Sequence, residues 1–306
     1  MEGKERFDNL VTEQRNQAAQ DIDTLPINDL IRLMNEEDQK AVAAVAEQRA
    51  QMVKAVEIAT AALRRGGRMF YMGSGTSGRL GVLDAAELLP TFNVDEDQVK
   101  AIMAGGSEAM FRPIEQAEDN AEAGRQDFLA QKPQAGDVLV GITASGRTPY
   151  VLAALAEASG LGVHTIGITC NPQSALASRA DVTVAPVVGP EVVTGSTRMK
   201  AGTAQKLVLN TLSTAVMIQL GKVYGNLMVD MLPTNEKLRR RAERIVADAT
   251  GATVTEAASL LRQAGWKIKE AIIMQEASCT LAEAEAVLQA HEGRVSAAIA
   301  ELKHQT

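Results

Sequence analysis

Residues 190–206 carry the densest set of side chains that could bind a small anion. The run Pro-Glu-Val-Val-Thr-Gly-Ser-Thr-Arg-Met-Lys-Ala-Gly-Thr-Ala-Gln-Lys combines hydroxyls and glycines with Ser196, Arg198 and Lys200. It is predicted to span a strand exit and a helix start, where free N–H groups and the positive end of the helix dipole favour a phosphate. We therefore expect Ser196, Arg198 and Lys200 to contribute to an anion site.

Two earlier loops have the same character, and together the three indicate a sugar phosphate as ligand. The candidate ligands in these loops, Gly73–Arg79 and Ala144–Pro149, are Ser74, Thr76, Ser77, Ser145, Gly146, Arg147 and Thr148. The first loop also matches the GxGxxG pattern of dinucleotide sites, but the nearest acid, Glu108, lies 30 residues beyond Gly78 rather than about 20. A loop or helix cap with no ligand remains an alternative for each.

Carboxylates are the main candidates for proton transfer, since the chain has only three scattered histidines. Glu87 lies in a mostly apolar helical segment, and Glu118 lies in the next predicted helix. Taken from the residues alone, the ordinary interpretation is favoured for both: Glu118 as a solvated surface residue, and Glu87 as an acid on an exposed face or an interface. Glu87 follows Thr76 by 11 residues, which corresponds to about 16 Å along an unbroken helix. This distance is longer than a hexose phosphate molecule. Either that helix bends, or Glu87 serves a site formed with a second subunit; we favour the subunit interface.

Short apolar runs alternate with helical patterns, which predicts an α/β fold with a buried parallel sheet. The predicted strands are 69–72, 99–103, 138–142, 163–168 and 182–188. The predicted helices are 30–63, 77–89, 112–129, 149–159 and a long one after Arg198. We expect an N-terminal arm over 1–40, a sugar-phosphate domain over 41–235 and a helical module over 236–306.

The helical module contains a weak internal repeat at an offset of 27 residues. Residues 260–272 align with 287–299, and each half is predicted to form a helix, a turn and a helix. Similarity by alanine-rich composition alone is the alternative.

Composition excludes several classes of function. A net charge of −7 argues against a general polyanion binder, and 3% aromatic residues argue against stacking of single-stranded nucleic acid. The two cysteines, Cys170 and Cys279, have no metal-ligand spacing, so we expect no metal site and no disulfide framework. No stretch approaches a membrane span. We expect a cytoplasmic protein that binds neither nucleic acid nor membrane.

The motifs together resemble the sugar isomerase (SIS) domain family, and within it the N-acetylmuramic acid 6-phosphate etherases. The resemblance runs almost end to end, through the segments 12–16, 22–23, 73–80, 83–87, 116–119, 144–150, 190–206 and 235–238. It implies a three-layer SIS domain with a central parallel sheet, an N-terminal helical arm and a small all-α C-terminal module. It also implies a homodimer with shared active sites and no cofactor.

The resemblance implies cleavage of the D-lactyl ether of N-acetylmuramic acid 6-phosphate, as a carbon–oxygen lyase of peptidoglycan recycling. By resemblance, Glu87 is the acid that assists departure of lactate and then activates water, and Glu118 is the base at C2. Ser77, Ser145 and Thr148 resemble the phosphate cradle. The 190–206 run is shared with glucokinase regulatory proteins, so a non-catalytic sugar-phosphate sensor is an alternative, as is an aldose–ketose isomerase.

Overall fold

The computed structural model describes residues 10–305, which fall into two compact units. The first comprises the described residues up to Ala85 together with Glu96–Ser213. The second comprises Ala86–Asp95 and the described residues from Thr214 onward. Two helices, α3 and α6 below, contribute residues to both units. Within residues 10–305, every helix is too short or too polar to cross a membrane.

A five-stranded parallel sheet forms the centre of the first unit. Its strands are β1 Met69–Gly73, β2 Val99–Met103, β3 Val138–Ile142, β4 His164–Ile168 and β5 Val182–Val184. They pair in the order β2-β1-β3-β4-β5, and the partners of Met69 are Val99 on one side and Val138 on the other. The chain thus moves outward from β1 to β2 and then returns to β3. This reversal of direction creates a crevice at the carboxyl ends of β1 and β3.

The helices are α1 Ile27–Ala46, α2 Arg49–Arg64, α3 Gly75–Phe92, α4 Ala121–Leu129, α5 Pro149–Gly160, α6 Lys200–Gln219, α7 Glu236–Thr250, α8 Val254–Gln263, α9 Ile268–Ala277, α10 Leu281–Ala290 and α11 Val295–Gln305. Short 3-10 turns occupy 11–13, 17–19, 22–24 and 107–110.

Alternating side chains of the strands face two different helical layers, as the period of two requires. Phe70 packs in a buried cluster with α5 residues and meets Phe128 of α4 edge to face, with 5.9 Å between ring centroids. Tyr71 points the other way, and its hydroxyl donates to Asp84 of α3 at 2.8 Å. Asp84 in turn accepts from Asn210 of α6 at 2.6 Å. The predicted α/β class with helices on both faces of a parallel sheet is confirmed.

Two predicted helices differ from the structure. The segment expected as one helix over 30–63 is divided into α1 and α2 by a break at residues 47–48. The helix expected over 112–129 begins only at Ala121, because the side chain of Asn120 accepts from the amide of Ala123 and caps it there. Gln116 has a φ of 60°, which no α-helix tolerates. Glu118 therefore lies in an irregular segment.

The second unit confirms the helix–turn–helix halves predicted from the repeat. Helices α8 and α10 begin 27 residues apart, after Thr253 and Thr280. Each threonine forms a capping box with the glutamate three residues later, and the two partners are Glu256 and Glu283. Such reciprocal caps satisfy two backbone donors at each helix start. The limits predicted for the arm and the module, at residues 40 and 235, stay predictions.

Close packing of α4 on α5 gives a first testable prediction. A Cβ placed on Gly124 would lie 2.0 Å from the carbonyl oxygen of Tyr150. Helix propensity favours alanine over glycine by about 1 kcal/mol, but overpacking of this kind costs about 1–3 kcal/mol. Because the overlap is severe, we expect the upper part of the overpacking cost, and after the gain in propensity Gly124→Ala should lower the free energy of unfolding by about 1–2 kcal/mol, measured by urea denaturation.

Gly160 provides the matched control, because it also lies in a helix and a Cβ there meets nothing within 4 Å. Gly160→Ala should leave stability unchanged or raise it. Equal effects of the two substitutions would show that α4 does not pack this tightly on α5.

Candidate active site

The loop after β1 forms an open helix N-terminus. Gly73 and Gly78 approach so closely that a Cβ on Gly78 would lie 2.7 Å from the carbonyl oxygen of Gly73. The amide of Gly78 donates to the carbonyl of Ser74 at 3.0 Å, which starts the hydrogen-bond ladder of α3. The preceding amides, those of Gly75, Thr76 and Ser77, therefore have no acceptor within the helix. These amides form the positive end of the α3 dipole, at the carboxyl edge of the sheet.

Three hydroxyls converge in the loop after β3. Thr143 Oγ1 lies 2.7 Å from Thr148 Oγ1 and 3.3 Å from Ser145 Oγ. Thr143 was not among the residues selected from sequence; its place directly after a buried strand is the signal that could have found it. Gly146 adopts a φ of 69°, and a Cβ there would lie 2.2 Å from Ser174 Oγ. Only glycine fits this turn. Arg147 follows it and lies between Ser145 and Thr148 in the chain.

The two loops leave the sheet side by side. Gly73 and Ile142, the last residues of β1 and β3, are register partners, so Ser74 and Thr143 emerge from neighbouring strand ends. Parallel strands lie about 4.8 Å apart. The first two loops therefore leave adjacent strand ends, at the crevice made by the strand-order reversal.

Glu118 reaches this crevice from the irregular segment before α4. Its carboxylate accepts from Ser74 Oγ at 3.2 Å, and its backbone carbonyl accepts from the amide of Tyr150 at 3.1 Å. The second bond ties the segment to the start of α5. A cavity of about 240 Å³ adjoins it, lined by residues that include Ser74, Arg79 and Glu118. An exposed carboxylate therefore lies beside the open N-terminus of α3.

The N-terminus of α6 does not offer its amides to a ligand, contrary to the expectation for residues 190–206. Glu191, which is fully buried, accepts from the amide of Lys200 at 3.1 Å and from that of Ala201 at 2.9 Å. Burial raises the pKa of Glu191, and these two amides and the charge of Lys200 offset only part of that effect. The carboxylate takes the place that an anion would occupy.

Lys200 is likewise engaged within the protein. Its ammonium group is buried, pairs with Glu37 and donates to the carbonyl of Pro190 at 2.7 Å. Asn16 donates to the same Glu37 carboxylate at 2.9 Å. Burial alone would raise the pKa of Glu37, but the hydrogen bonds from Lys200, Lys40 and Asn16 outweigh it and the pKa falls below its usual value.

The remaining candidates of this run lie at or near the surface. Arg198 is exposed, and Ser196 is half-buried with its amide donating to the carbonyl of Val193. The structure therefore brings neither Arg198 nor Lys200 together with the two loops at the strand ends through any described contact. Their roles as ligands stay predictions.

Glu87 is exposed on α3. It lies 11 residues beyond Thr76 on the same helix, and the helix is continuous from Gly75 to Phe92. Glu118 belongs to the first compact unit, and Glu87 belongs to the second.

Comparison with known proteins agrees with this fold. A family model described as the glucokinase regulatory protein N-terminal SIS domain matches residues 51–159, and the SIS domain model matches residues 121–215. The fold, the strand-end crevice and these matches define an SIS-domain protein.

Relatives of high sequence identity show which family of SIS-domain proteins this chain belongs to. An N-acetylmuramic acid 6-phosphate etherase of Symbiobacterium thermophilum is 54% identical over 86% of this chain and 88% of its own. Those of Clostridium botulinum strain Loch Maree and Cronobacter sakazakii are 48% and 50% identical over 97% and 95% of this chain, in each case covering 98% of the relative. The chain belongs to the N-acetylmuramic acid 6-phosphate etherase family.

The buried pair of Lys200 with Glu37 gives a second prediction. Removing one partner of a buried ion pair leaves an uncompensated charge, at a cost of about 3–5 kcal/mol. Lys40 and Asn16 still contact the Glu37 carboxylate in the variant, so we expect Lys200→Ala to lower the free energy of unfolding by about 3 kcal/mol, the lower end of that range, measured by denaturant titration at fixed protein concentration.

The ion pair of Arg240 with Glu236 serves as control, since both side chains are more than three-quarters exposed, at 77% and 79%. Arg240→Ala should change stability little, because exposed pairs are screened by solvent. A comparably small effect of Lys200→Ala would mean that the buried network does not hold the start of α6.

Proposed function

We propose that this chain catalyses the reaction for which its relatives are named. It cleaves the D-lactyl ether at C3 of N-acetylmuramic acid 6-phosphate with water and releases N-acetylglucosamine 6-phosphate and D-lactate. The observation that carries the proposal is the Glu118 carboxylate, which lies at hydrogen-bond distance from Ser74 and beside the open N-terminus of α3. In this proposal the phosphate and the catalytic base would meet at one strand-end crevice.

The chemistry explains why a carboxylate pair would suffice. An alkyl ether is a poor leaving group, so direct hydrolysis is slow. In the open-chain sugar the C2 proton lies α to the C1 aldehyde and is acidic. A base removes this proton, the C3–O bond breaks as an acid protonates the lactyl oxygen, and an α,β-unsaturated aldehyde remains. Water then adds at C3 and C2 regains a proton.

The phosphate ligands are proposed from their position, and the roles of the two glutamates are proposed from the family resemblance. The amides at the start of α3 and the hydroxyls of Ser77, Ser145 and Thr148 would hold the phosphate, because phosphates bind where free N–H groups and a helix dipole coincide. Glu118 would act as the C2 base. Glu87 would protonate the departing lactyl oxygen and then activate water, since both steps need an acid that becomes a base.

We propose that Glu87 acts in the site of a second subunit. The 11 residues between Thr76 and Glu87 correspond to about 16 Å of helix, more than a hexose phosphate spans. The helix also exposes Leu83 and Leu89, at 50% and 40%, as an interface between two copies would require. A homodimer with shared active sites satisfies both observations. Because a phosphorylated sugar does not cross membranes freely, we place the enzyme in the cytoplasm.

A sugar-phosphate sensor is the second candidate, favoured by the match of residues 51–159 to the glucokinase regulatory protein domain. A sensor would bind N-acetylmuramic acid 6-phosphate without releasing lactate. The same crevice could serve it, so only turnover separates the two.

Proton NMR of the protein with N-acetylmuramic acid 6-phosphate in deuterated water tests the mechanism. We expect lactate to appear together with deuterium at C2 of the product, because the base exchanges its proton with solvent before C2 is reprotonated. Glu118→Gln should reduce lactate release by at least about 100-fold, the lower bound of a general base contribution.

Asp119→Asn is a matched control, since it alters the neighbouring exposed carboxylate; it should retain activity. Lactate release without deuterium at C2 would contradict the elimination. Binding with neither signal would favour the sensor.

Mixing two inactive variants tests the shared site. If each site takes Glu87 from one subunit and Glu118 from the other, a dimer of Glu87→Gln with Glu118→Gln contains one intact site. Random exchange of subunits makes about half of the dimers mixed, so about a quarter of wild-type activity should return. Recovery should depend on subunit exchange and be absent before it. No recovery in verified mixed dimers would place both glutamates in one chain's site.

A further inference from the structure

Gln205 on α6 has one buried amide end that finds no partner. The residue is fully buried, and its Oε1 accepts from Ser77 Oγ at 2.9 Å. Within the described residues, Nε2 of the same amide is buried and has no hydrogen-bond partner. A buried donor without an acceptor is rare in folded proteins. This orphan donor lies on the side chain that contacts a residue of the proposed phosphate site.

The packing of two helix starts fixes Gln205 against Ser77. Ala201 and Ala204 of α6 are fully buried, and a Cβ on Gly202 would lie 3.3 Å from Thr76 Cγ2. Small residues therefore let the first turn of α6 approach the first turn of α3. Close packing against α3 therefore explains the small residues of 200–205, whether or not α6 binds the phosphate.

The direction of the Ser77–Gln205 hydrogen bond decides what Ser77 can offer to an anion. A hydroxyl has one proton. When Ser77 donates that proton to Oε1, only its lone pairs remain, and they repel phosphate oxygens. When the amide is turned by 180°, Nε2 donates to Ser77, and the hydroxyl proton is released for the phosphate.

We propose that Gln205 is a positioning residue that turns its amide when phosphate binds, so that Ser77 changes from donor toward Gln205 to donor toward the ligand. The turn gives the orphan N–H a partner, but it takes from the buried Ser77 hydroxyl its acceptor Oε1. Bound phosphate supplies a new acceptor for that proton, so the turn is favoured when phosphate binds. The inference rests on the proposed function, since it takes Ser77 as a phosphate ligand.

Side-chain amide NMR of protein labelled with ¹⁵N-glutamine tests the proposal directly. The Gln205 signal is assigned by its loss in Gln205→Met, a variant of similar volume. Titration with N-acetylglucosamine 6-phosphate should shift the Gln205 Nε2 proton signals downfield and slow their exchange with water. Unphosphorylated N-acetylglucosamine should not move them. In Ser77→Ala, the sugar phosphate should bind at least about 10-fold more weakly, as loss of a hydrogen bond to a charged group implies, and at saturation should no longer shift the Gln205 signal.

The controls separate failure of this inference from failure of the proposed function. An unmoved Gln205 signal in wild-type protein saturated with the sugar phosphate overturns the role of Gln205 and leaves the phosphate site standing. Unchanged affinity in Ser77→Ala overturns both the Ser77 assignment and the inference. If wild-type protein does not bind the sugar phosphate and releases no lactate, the proposed function falls and the inference falls with it.

Discussion

The pairing of β1 with β2 on one side and with β3 on the other is the constraint on which the site depends. Because all five strands are parallel, their carboxyl ends lie at the same edge of the sheet. The strand order changes direction between β1 and β3, so the loops that follow these two strands diverge and leave a crevice. The close approach of Gly73 and Gly78 then sets α3 directly beyond β1. Ser74 and Thr143 emerge next to each other as a consequence.

Competition for helix N-termini determines where an anion can bind. Three helices begin near sequence motifs that contain glycines and hydroxyls, yet their first amides have different partners. Glu191 occupies the start of α6, and the carbonyl of Glu118 accepts from Tyr150 at the start of α5, where Pro149 has no N–H to offer. Only α3, among these three, keeps its first amides without a protein acceptor in the described part of the chain. An anion is therefore favoured at α3.

Much of the fold could be predicted from residue patterns. The strand Val138–Ile142 coincides with its prediction because a short apolar run that alternates with helical patterns is typical of a parallel strand buried on both faces. Helix α5 begins at Pro149 as expected, since proline fits the first helical turn. The predicted helix over 112–120 is wrong. The helical composition of this segment is overridden by the cap at Asn120 and by the left-handed backbone of Gln116. Local signals of that kind are short and easily missed.

The sequence by itself determined the parallel α/β class, the loops that border the site and, through resemblance, the family. Only the tertiary structure decided which polar residues remain available to a ligand. Lys200 and Glu37 are 163 residues apart, and Ser77 and Gln205 are 128 residues apart. The physical reason is that helix and strand formation depends on neighbours along the chain, whereas a polar group takes its partner from whichever distant residue the packing brings within about 3 Å.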